Sequence, residues 1–390
     1  MIYLDNNAST RLDPEVQAAM ADAAGVFGNP SSVHAEGQRA RRVIEEARDA
    51  IGALIGAAGG EIFLTSGGTE SNAMAIFGAV AGRRGRVVIS GAEHPSVREP
   101  GARLAAGGQC ELVTVDPDAS GALDPERVLA AATPGTLLVS VMAANNEYGG
   151  VFPVAALAGE LRRRGVLFHT DAVQAAGRLP SDDDAFGADL VSISAHKLHG
   201  PKGAGALFVR RGVTLEPRTP GGGQEKKLRA GTENTVAIVG FGVAARLCAR
   251  RQAEEAPAIA RLRDRLERGI LERVPATRVV GAGAERLPNT SSVAFPGASG
   301  EALLIRLDLD GVAVSVGSAC SSGTLAPSPA LLALGLSRDE AKSVVRFSLS
   351  RETTEAEIAR VLDLLPVVVE QARAVSAPHG RALAGAGGRP

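Results

Sequence analysis

One stretch, Ser192-Ile193-Ser194-Ala195-His196-Lys197-Leu198-His199-Gly200-Pro201-Lys202-Gly203, places a lysine between two apolar runs. Ala188 to Ile193 leads in and Gly205 to Val209 leads out. Each run is short enough for a buried strand, so the polar residues between them form a strand-end loop. An amine there, set among Ser, His and Gly rather than in a charge run, can form a Schiff base with a carbonyl cofactor. A solvated loop lysine is the ordinary alternative. Lys197 rises above it because Thr69, His94, Asn146 and Asp171 also lie just beyond predicted strands.

Pyridoxal phosphate on Lys197 would make four further demands. Its pyridine nitrogen must stay protonated, which needs a carboxylate, and Asp171 in His169-Thr170-Asp171-Ala172-Val173-Gln174 is the candidate. On position alone Asp171 could equally be a cap or turn aspartate. The ring face needs a flat neighbour, which His94 in Glu93-His94-Pro95 can supply. A structural histidine would read the same way. The phosphate needs backbone N–H groups at a helix start plus hydroxyls, and Ser66-Gly67-Gly68-Thr69 offers both. Ser194 and His196 can add donors. The phenolic oxygen needs a donor, either Asn146 or Gln174.

The elements that must bring these residues together alternate. Strands are predicted at Ile62 to Leu64, Arg86 to Ser90, Glu111 to Val115, Thr136 to Val141, Val166 to His169 and Leu190 to Ile193. Helices are predicted from Ala73 to Val80, Pro95 to Ala106, Pro125 to Ala132 and Pro153 to Arg164, after earlier ones from Pro14 and Ala35. This alternation predicts an α/β fold, a mostly parallel sheet with helices on both faces. Right-handed crossovers then leave the strand ends along one edge, where five polar segments can surround one ligand.

After the loop at Gly221-Gly222-Gly223-Gln224 and the block Arg229-Ala230-Gly231-Thr232, helix runs to about Arg273, with a domain crossing expected near Glu254 to Ala260. Short strands are then expected at Val279-Val280, Ser292 to Phe295, Val312 to Val316 and Arg346 to Ser350. Helices are expected at Glu301 to Leu307 and Pro329 to Leu334, with a last one capped by Thr353 or Thr354. Residues 15–255 form the expected large domain. Residues 1–14 and 256–376 form a smaller α+β domain, and the Gly, Ala and Arg-rich tail 377–390 is expected to be disordered.

Composition excludes several function classes. The 42 basic and 43 acidic residues nearly cancel, so no basic field exists to hold nucleic acid. No long uncharged apolar stretch predicts a membrane span, and the N-terminus lacks the pattern of a signal peptide. A cytoplasmic protein is expected. The 3 cysteines, Cys110, Cys248 and Cys320, form no C-x-x-C pair, so neither a disulfide framework nor a metal site is expected. Cys110 and Cys248 sit in apolar or helix-like stretches and read as filler. Cys320 lies in the small-residue region Ser315 to Thr324, where a thiol can stay exposed and move.

With these residues in view, the chain resembles the cysteine desulfurases of the NifS/IscS type, class V members of the fold type I pyridoxal-phosphate enzymes. The resemblance extends from Tyr3 to about Leu364. It rests on Tyr3-Leu4-Asp5-Asn6-Asn7-Ala8, Gly28-Asn29-Pro30-Ser31-Ser32-Val33-His34, Thr65 to Asn72, Asn145-Asn146-Glu147, Asp171-Ala172-Val173-Gln174 and Ser194-Ala195-His196-Lys197. Gly200-Pro201-Lys202-Gly203, Arg229-Ala230-Gly231-Thr232 and Gly317 to Ser322 complete it. It implies a large domain with a mostly parallel mixed sheet flanked by helices, plus a smaller α+β domain.

The resemblance also implies roles. Lys197 would hold the cofactor and take a proton. Asp171 and His94 would meet the pyridine nitrogen and ring face, and His94 would also assist proton transfer. Asn146 and Gln174 would approach the phenolic oxygen. Gly68, Thr69, Ser194 and His196 would contact the phosphate, joined by Thr232 of a neighbouring subunit, so a homodimer is implied. Arg346, with Asn29 nearby, would bind the substrate carboxylate, for which a bidentate guanidinium is the usual solution.

Cys320 would attack the sulfur of bound L-cysteine and carry it as a persulfide. Alanine would leave, and an iron–sulfur scaffold or another sulfur acceptor would take the sulfur. The loop through Thr324-Leu325-Ala326-Pro327-Ser328 resembles the long-loop group. Two features depart from the family pattern: Tyr148, expected next to the cofactor pocket, and the alanine-rich tail. The alternative is a selenocysteine lyase or another class V enzyme acting on a small amino acid. A mobile thiol argues against an aminotransferase. A non-catalytic scaffold would not need Lys197, Asp171 and Cys320 together, and a nicotinamide enzyme would need a Gly-x-Gly-x-x-Gly after its first strand.

Overall fold

Apolar runs of four to six residues build a central sheet in the computed structural model, which describes residues 1–180, 184–316 and 326–376. Its seven strands, in spatial order, are Ile62–Thr65, Gly205–Val209, Leu190–Ser194, Leu167–Asp171, Thr136–Ser140, Gly85–Ser90 and Cys110–Val115. Gly205–Val209 pairs antiparallel with both neighbours, and the other six strands point the same way. Leu190–Ser194 and Gly205–Val209 are buried at every position, as expected of strands covered on both faces.

Side chains alternate between two helical layers. Val87, Ile89, Leu138 and Leu207 pack with Met74, Ile76 and Val97 of helices Gly68–Val80 and Pro95–Ala106. Val88, Val139, Phe168 and Val191 face the opposite layer, which includes Ile44, Ile51 and Phe241 of helices Ala35–Leu54 and Thr235–Arg273.

A separate core joins the final helix, Glu355–Ser376, to the four-stranded antiparallel sheet Ser315–Val316, Val344–Ser348, Thr290–Ala294 and Arg278–Val279. Phe295, Phe347, Ile358 and Leu365 lie in it, with Leu4 from the N-terminal segment. That segment then crosses from one core to the other. Asn6 N–H donates to the Ser348 carbonyl at 3.2 Å, and Thr10 N–H donates to the His196 carbonyl at 3.0 Å.

Three local expectations need correction. The helix expected from Ala73 begins at Gly68, because the Gly-rich turn supplies its first residues rather than a preceding loop. The single strand expected over Val312 to Val316 is two pieces in different sheets: Val312–Ala313 pairs with Ile2–Tyr3, and Ser315–Val316 pairs with Val344–Ser348. The strand expected at Arg346 to Ser350 lies two residues earlier, at Val344–Ser348, and the short helix Arg338–Lys342 before it was not anticipated. Ser337 and Glu340 form a capping box there. Helix Thr235–Arg273 runs unbroken through Pro257, with Leu247 and Cys248 in the first core and Leu266 and Ile270 in the second.

The expectation of a disordered tail at 377–390 lies outside the described residues. No helix among the described residues is long and apolar enough to cross a membrane.

Candidate active site

The parallel strands end along one edge, and that edge forms the floor of a cleft of about 540 Å³. Gly68, Thr69, His94, Asn146, Asp171, Gln174, Ser194, His196, Lys197 and Arg346 all line it. Each comes from a different place in the chain for a simple reason. Gly68 and Thr69 open the helix after Ile62–Thr65. His94 caps the helix after Gly85–Ser90. Asp171, Ser194 and Lys197 lie at or just after the ends of their own strands. Arg346 comes from the second sheet, which closes the cleft from above.

Asn29 and Thr232 do not line this cleft, and both are exposed. Asn29 uses its side-chain oxygen locally, accepting from Ser31 N–H at 2.9 Å. Cys320 and its neighbours Gly317 to Leu325 lie outside the described residues. Tyr148 also departs from expectation. It is fully buried but absent from the cleft wall, and packs instead against Gly121, Gly150 and Gly281. Its hydroxyl donates to the Gly121 carbonyl at 3.4 Å. The glycines leave room for the ring, so its bulk is taken up away from the site.

Lys197 is half-buried, and its ammonium donates to the carbonyls of Asn7 at 2.6 Å and Ala8 at 2.7 Å. The crossing N-terminal segment therefore places the amine in the cleft. Asp171 accepts from Asn72 Nδ2 at 2.6 Å and from Val173 N–H at 2.9 Å. Gln174 donates through Nε2 to the Asn7 carbonyl at 3.0 Å, and Arg178 donates to Gln174 Oε1. Arg346 pairs with Asp5 through Nη2 at 2.7 Å and donates through Nη1 to the Asn146 carbonyl at 2.9 Å. Ser194 Oγ and Arg346 Nε are buried without a hydrogen-bond partner among the described residues.

The electrostatics follow from burial. His94 is held below its ordinary value by burial, which Asp171 opposes and Lys197 and Arg98 reinforce. Burial and the charges of Lys197, Lys202 and Arg178 bring His196 down to about 4. Burial pushes Glu93 up to about 8 and Glu147 to about 7. Beneath the floor, His169 is fully buried between Ser140 Oγ at 2.8 Å and Ser192 Oγ at 3.1 Å. Burial lowers it to about 3, so it is a neutral part of the floor.

Residues missed from the sequence share one character: they hold other site residues. Asn72 lies one turn after Gly68 and could have been found had the helix start been placed correctly. Ser96 lies two residues after His94. Asp5 meets Arg346 across 341 residues of chain, and no local pattern announces such a contact.

Comparison with known proteins gives one answer. The family described as aminotransferase class V matches residues 2–361. A cysteine desulfurase of Cereibacter sphaeroides is 48% identical over 383 residues, covering 97% of this chain and 98% of that protein. A NifS-like protein from Rickettsia africae superposes with a TM-score of 0.86 at 32% identity, over 95% of this chain and 99% of that one. A structure of SspA in complex with cysteine superposes with a TM-score of 0.80 at 32% identity, over 91% of this chain and 100% of that one. With its family match spanning both cores and its sequence shared along the whole length of such relatives, the chain belongs to the class V aminotransferases and, within them, to the cysteine desulfurases of the NifS/IscS type.

Proposed function

We propose that the chain is a pyridoxal-phosphate-dependent L-cysteine desulfurase that yields L-alanine and a persulfide on Cys320. The observation that carries this reading is the meeting of Lys197, Asp171 and His94 in one cleft, within a chain of this family. The donor set fits the cofactor. Ser194 Oγ is buried and has no partner among the described residues beside Gly68, whose helix start offers N–H groups to a phosphate. Thr69 and His196 stand at the same cleft. Asp171 suits a pyridinium nitrogen, His94 the ring face, and Asn146 and Gln174 the phenolic oxygen. When bound, the cofactor supplies a carbonyl for the substrate amine and a sink for the electrons of the Cα–H bond.

The chain's own residues do the rest. Lys197 anchors the cofactor, and its Nζ takes the Cα proton. Arg346 binds the substrate carboxylate, with Asp5 and the Asn146 carbonyl holding its plane. Cys320 takes the sulfur, and the Cβ–S bond of the substrate breaks as the new S–S bond forms. An acceptor, such as an iron–sulfur scaffold, then removes it. Adding L-cysteine with a thiol reductant should release alanine and sulfide in equal amounts; alanine without sulfide would reject a desulfurase.

Two further parts of the reading concern organisation. Thr232 is assigned to the cleft of a second copy, which makes the protein a homodimer. Phe27 and Val33, large apolar side chains that are 80% and 90% exposed, support this. Light scattering that found a monomer retaining cofactor would remove it. The two apolar cores support a division into residues 15–255 against residues 1–14 with 256–376, within the long helix.

A further inference from the structure

Four cleft residues form one hydrogen-bonded chain: Asp171, Asn72, Ser96 and His94. Asn72 Nδ2 donates to Asp171 Oδ2 at 2.6 Å and to Ser96 Oγ at 2.8 Å. Ser96 Oγ lies 2.7 Å from His94 Nδ1. The backbone N–H of Ser96 also donates to His94 Nδ1, at 3.1 Å, in the helix cap.

The directions of these bonds are set by chemistry. A carboxylate oxygen only accepts, so the Asn72 amide must turn its nitrogen to Asp171. That nitrogen has two hydrogens, and the second goes to Ser96 Oγ. A backbone N–H only donates, so His94 Nδ1 must be an acceptor. Ser96 Oγ, already receiving from Asn72, lies 2.7 Å from this acceptor nitrogen and can only share its single lone pair with the backbone donor. A neutral imidazole with Nδ1 as acceptor carries its hydrogen on Nε2. Among the described residues Nε2 has no hydrogen-bond partner.

We propose that Asn72 and Ser96 are positioning residues that lock His94 as the Nε2–H tautomer and tie its ring to Asp171, so that His94 meets the cofactor and substrate as a neutral donor and not as a base. To become an imidazolium, His94 would need a proton on Nδ1. That would displace the Ser96 N–H, leaving a buried donor unpaired. The charged groups around the ring do not reverse this. Asp171 favours the cation, while Lys197 and Arg98 oppose it together with burial. Among the described cleft residues, Lys197 is then the amine placed to take the Cα proton. The inference deepens the function proposed above and rests on it for its catalytic meaning, but the tautomer itself is a property of the chain.

The test is nitrogen NMR of the full chain labelled with ¹⁵N-histidine, with and without pyridoxal phosphate. His94 is assigned as the signal lost in His94→Asn. An Nε2–H tautomer is expected in both forms at neutral pH. An Nδ1–H tautomer or an imidazolium would overturn the proposal, even if the protein proves to be a desulfurase. Asn72→Leu and Ser96→Ala are then compared by the pH midpoint of the bound cofactor's visible band. Asn72→Leu, which removes a donor from a carboxylate, should move it by about one pH unit. Ser96→Ala keeps the backbone donor, so its tautomer should persist with a smaller shift. An unchanged midpoint in a folded Asn72→Leu would refute the tie to Asp171. Should that variant not fold, the midpoint in Ser96→Ala decides: no shift refutes the tie.

Discussion

Arg346 Nη2 lies 2.7 Å from Asp5 Oδ1, joining the second sheet to the N-terminal segment directly above the cleft. The pair is more than a structural tie, because the guanidinium also lines the cleft and Nε is left unpartnered among the described residues. Asp5 orients a group whose open face must meet a carboxylate. Arg346→Lys keeps the charge but loses the planar fork, and should lower kcat/KM for L-cysteine about 10–100-fold, mainly through KM. Asp5→Asn should give a smaller loss in the same parameter. Steady-state kinetics that left KM unchanged in Arg346→Lys would remove the assignment.

Lys197 is held by the Asn7 and Ala8 carbonyls. Lys197→Ala should purify without the visible band of lysine-bound cofactor, while still binding added pyridoxal phosphate weakly through the other cleft residues. A spectrum like that of the unaltered protein would place the anchoring amine elsewhere.

Buried titratable groups give the fold a stability optimum in mildly acidic solution. Burial pushes the Glu93 carboxyl up to about 8. Between the ordinary glutamate value and about 8, the folded chain keeps a proton that the unfolded chain has lost, so stability falls as pH rises through that window. His169 works on the other side. Held down to about 3 by burial, it stays neutral in the folded chain below 6.5 while the unfolded chain takes a proton, so stability falls as pH drops. Denaturant unfolding against pH should show both arms. Glu147, raised to about 7 by burial, contributes to the same alkaline arm, so Glu93→Gln should shrink that arm and leave the acid arm as it is; an unaltered alkaline arm would mean that Glu93 is not among its sources.

Gly205 packs against the turn that precedes the phosphate-facing helix. A Cβ there would sit 2.5 Å from Gly67 Cα and 2.8 Å from Gly67 N, both backbone atoms that cannot swing aside. Gly205→Ala should therefore displace the Gly67–Gly68 turn and weaken cofactor affinity at least tenfold, by about 1.4 kcal/mol or more. Fluorescence titration with pyridoxal phosphate measures this directly, and an unchanged Kd would show that the turn does not bear on the phosphate.

Much of this site was legible because α/β folds gather strand ends. Once the alternation of strands and helices is seen, Thr69, His94, Asn146, Asp171 and Lys197 must share an edge, and they do. What stayed hidden depends on contacts between distant parts of the chain. Asp5 and Arg346, Asn7 and Lys197, and Arg48 with Glu225 at 2.7 Å meet only after the cores close. The helix start at Gly68 is hidden because two adjacent glycines read as a loop, and Asn72 is hidden with it. The two strand pieces around Val314 read as one because a single apolar run conceals a change of sheet.

The most direct test of the proposed reaction is mass analysis of Cys320 after one turnover with L-cysteine in the absence of reductant. The peptide containing Cys320 should gain the mass of one sulfur atom, in step with the alanine formed, and neither Cys110 nor Cys248 should do so. Burial raises both of their thiols, Cys248 to about 11, which keeps them out of thiolate chemistry. Alanine formed without added sulfur on Cys320 would contradict the persulfide route.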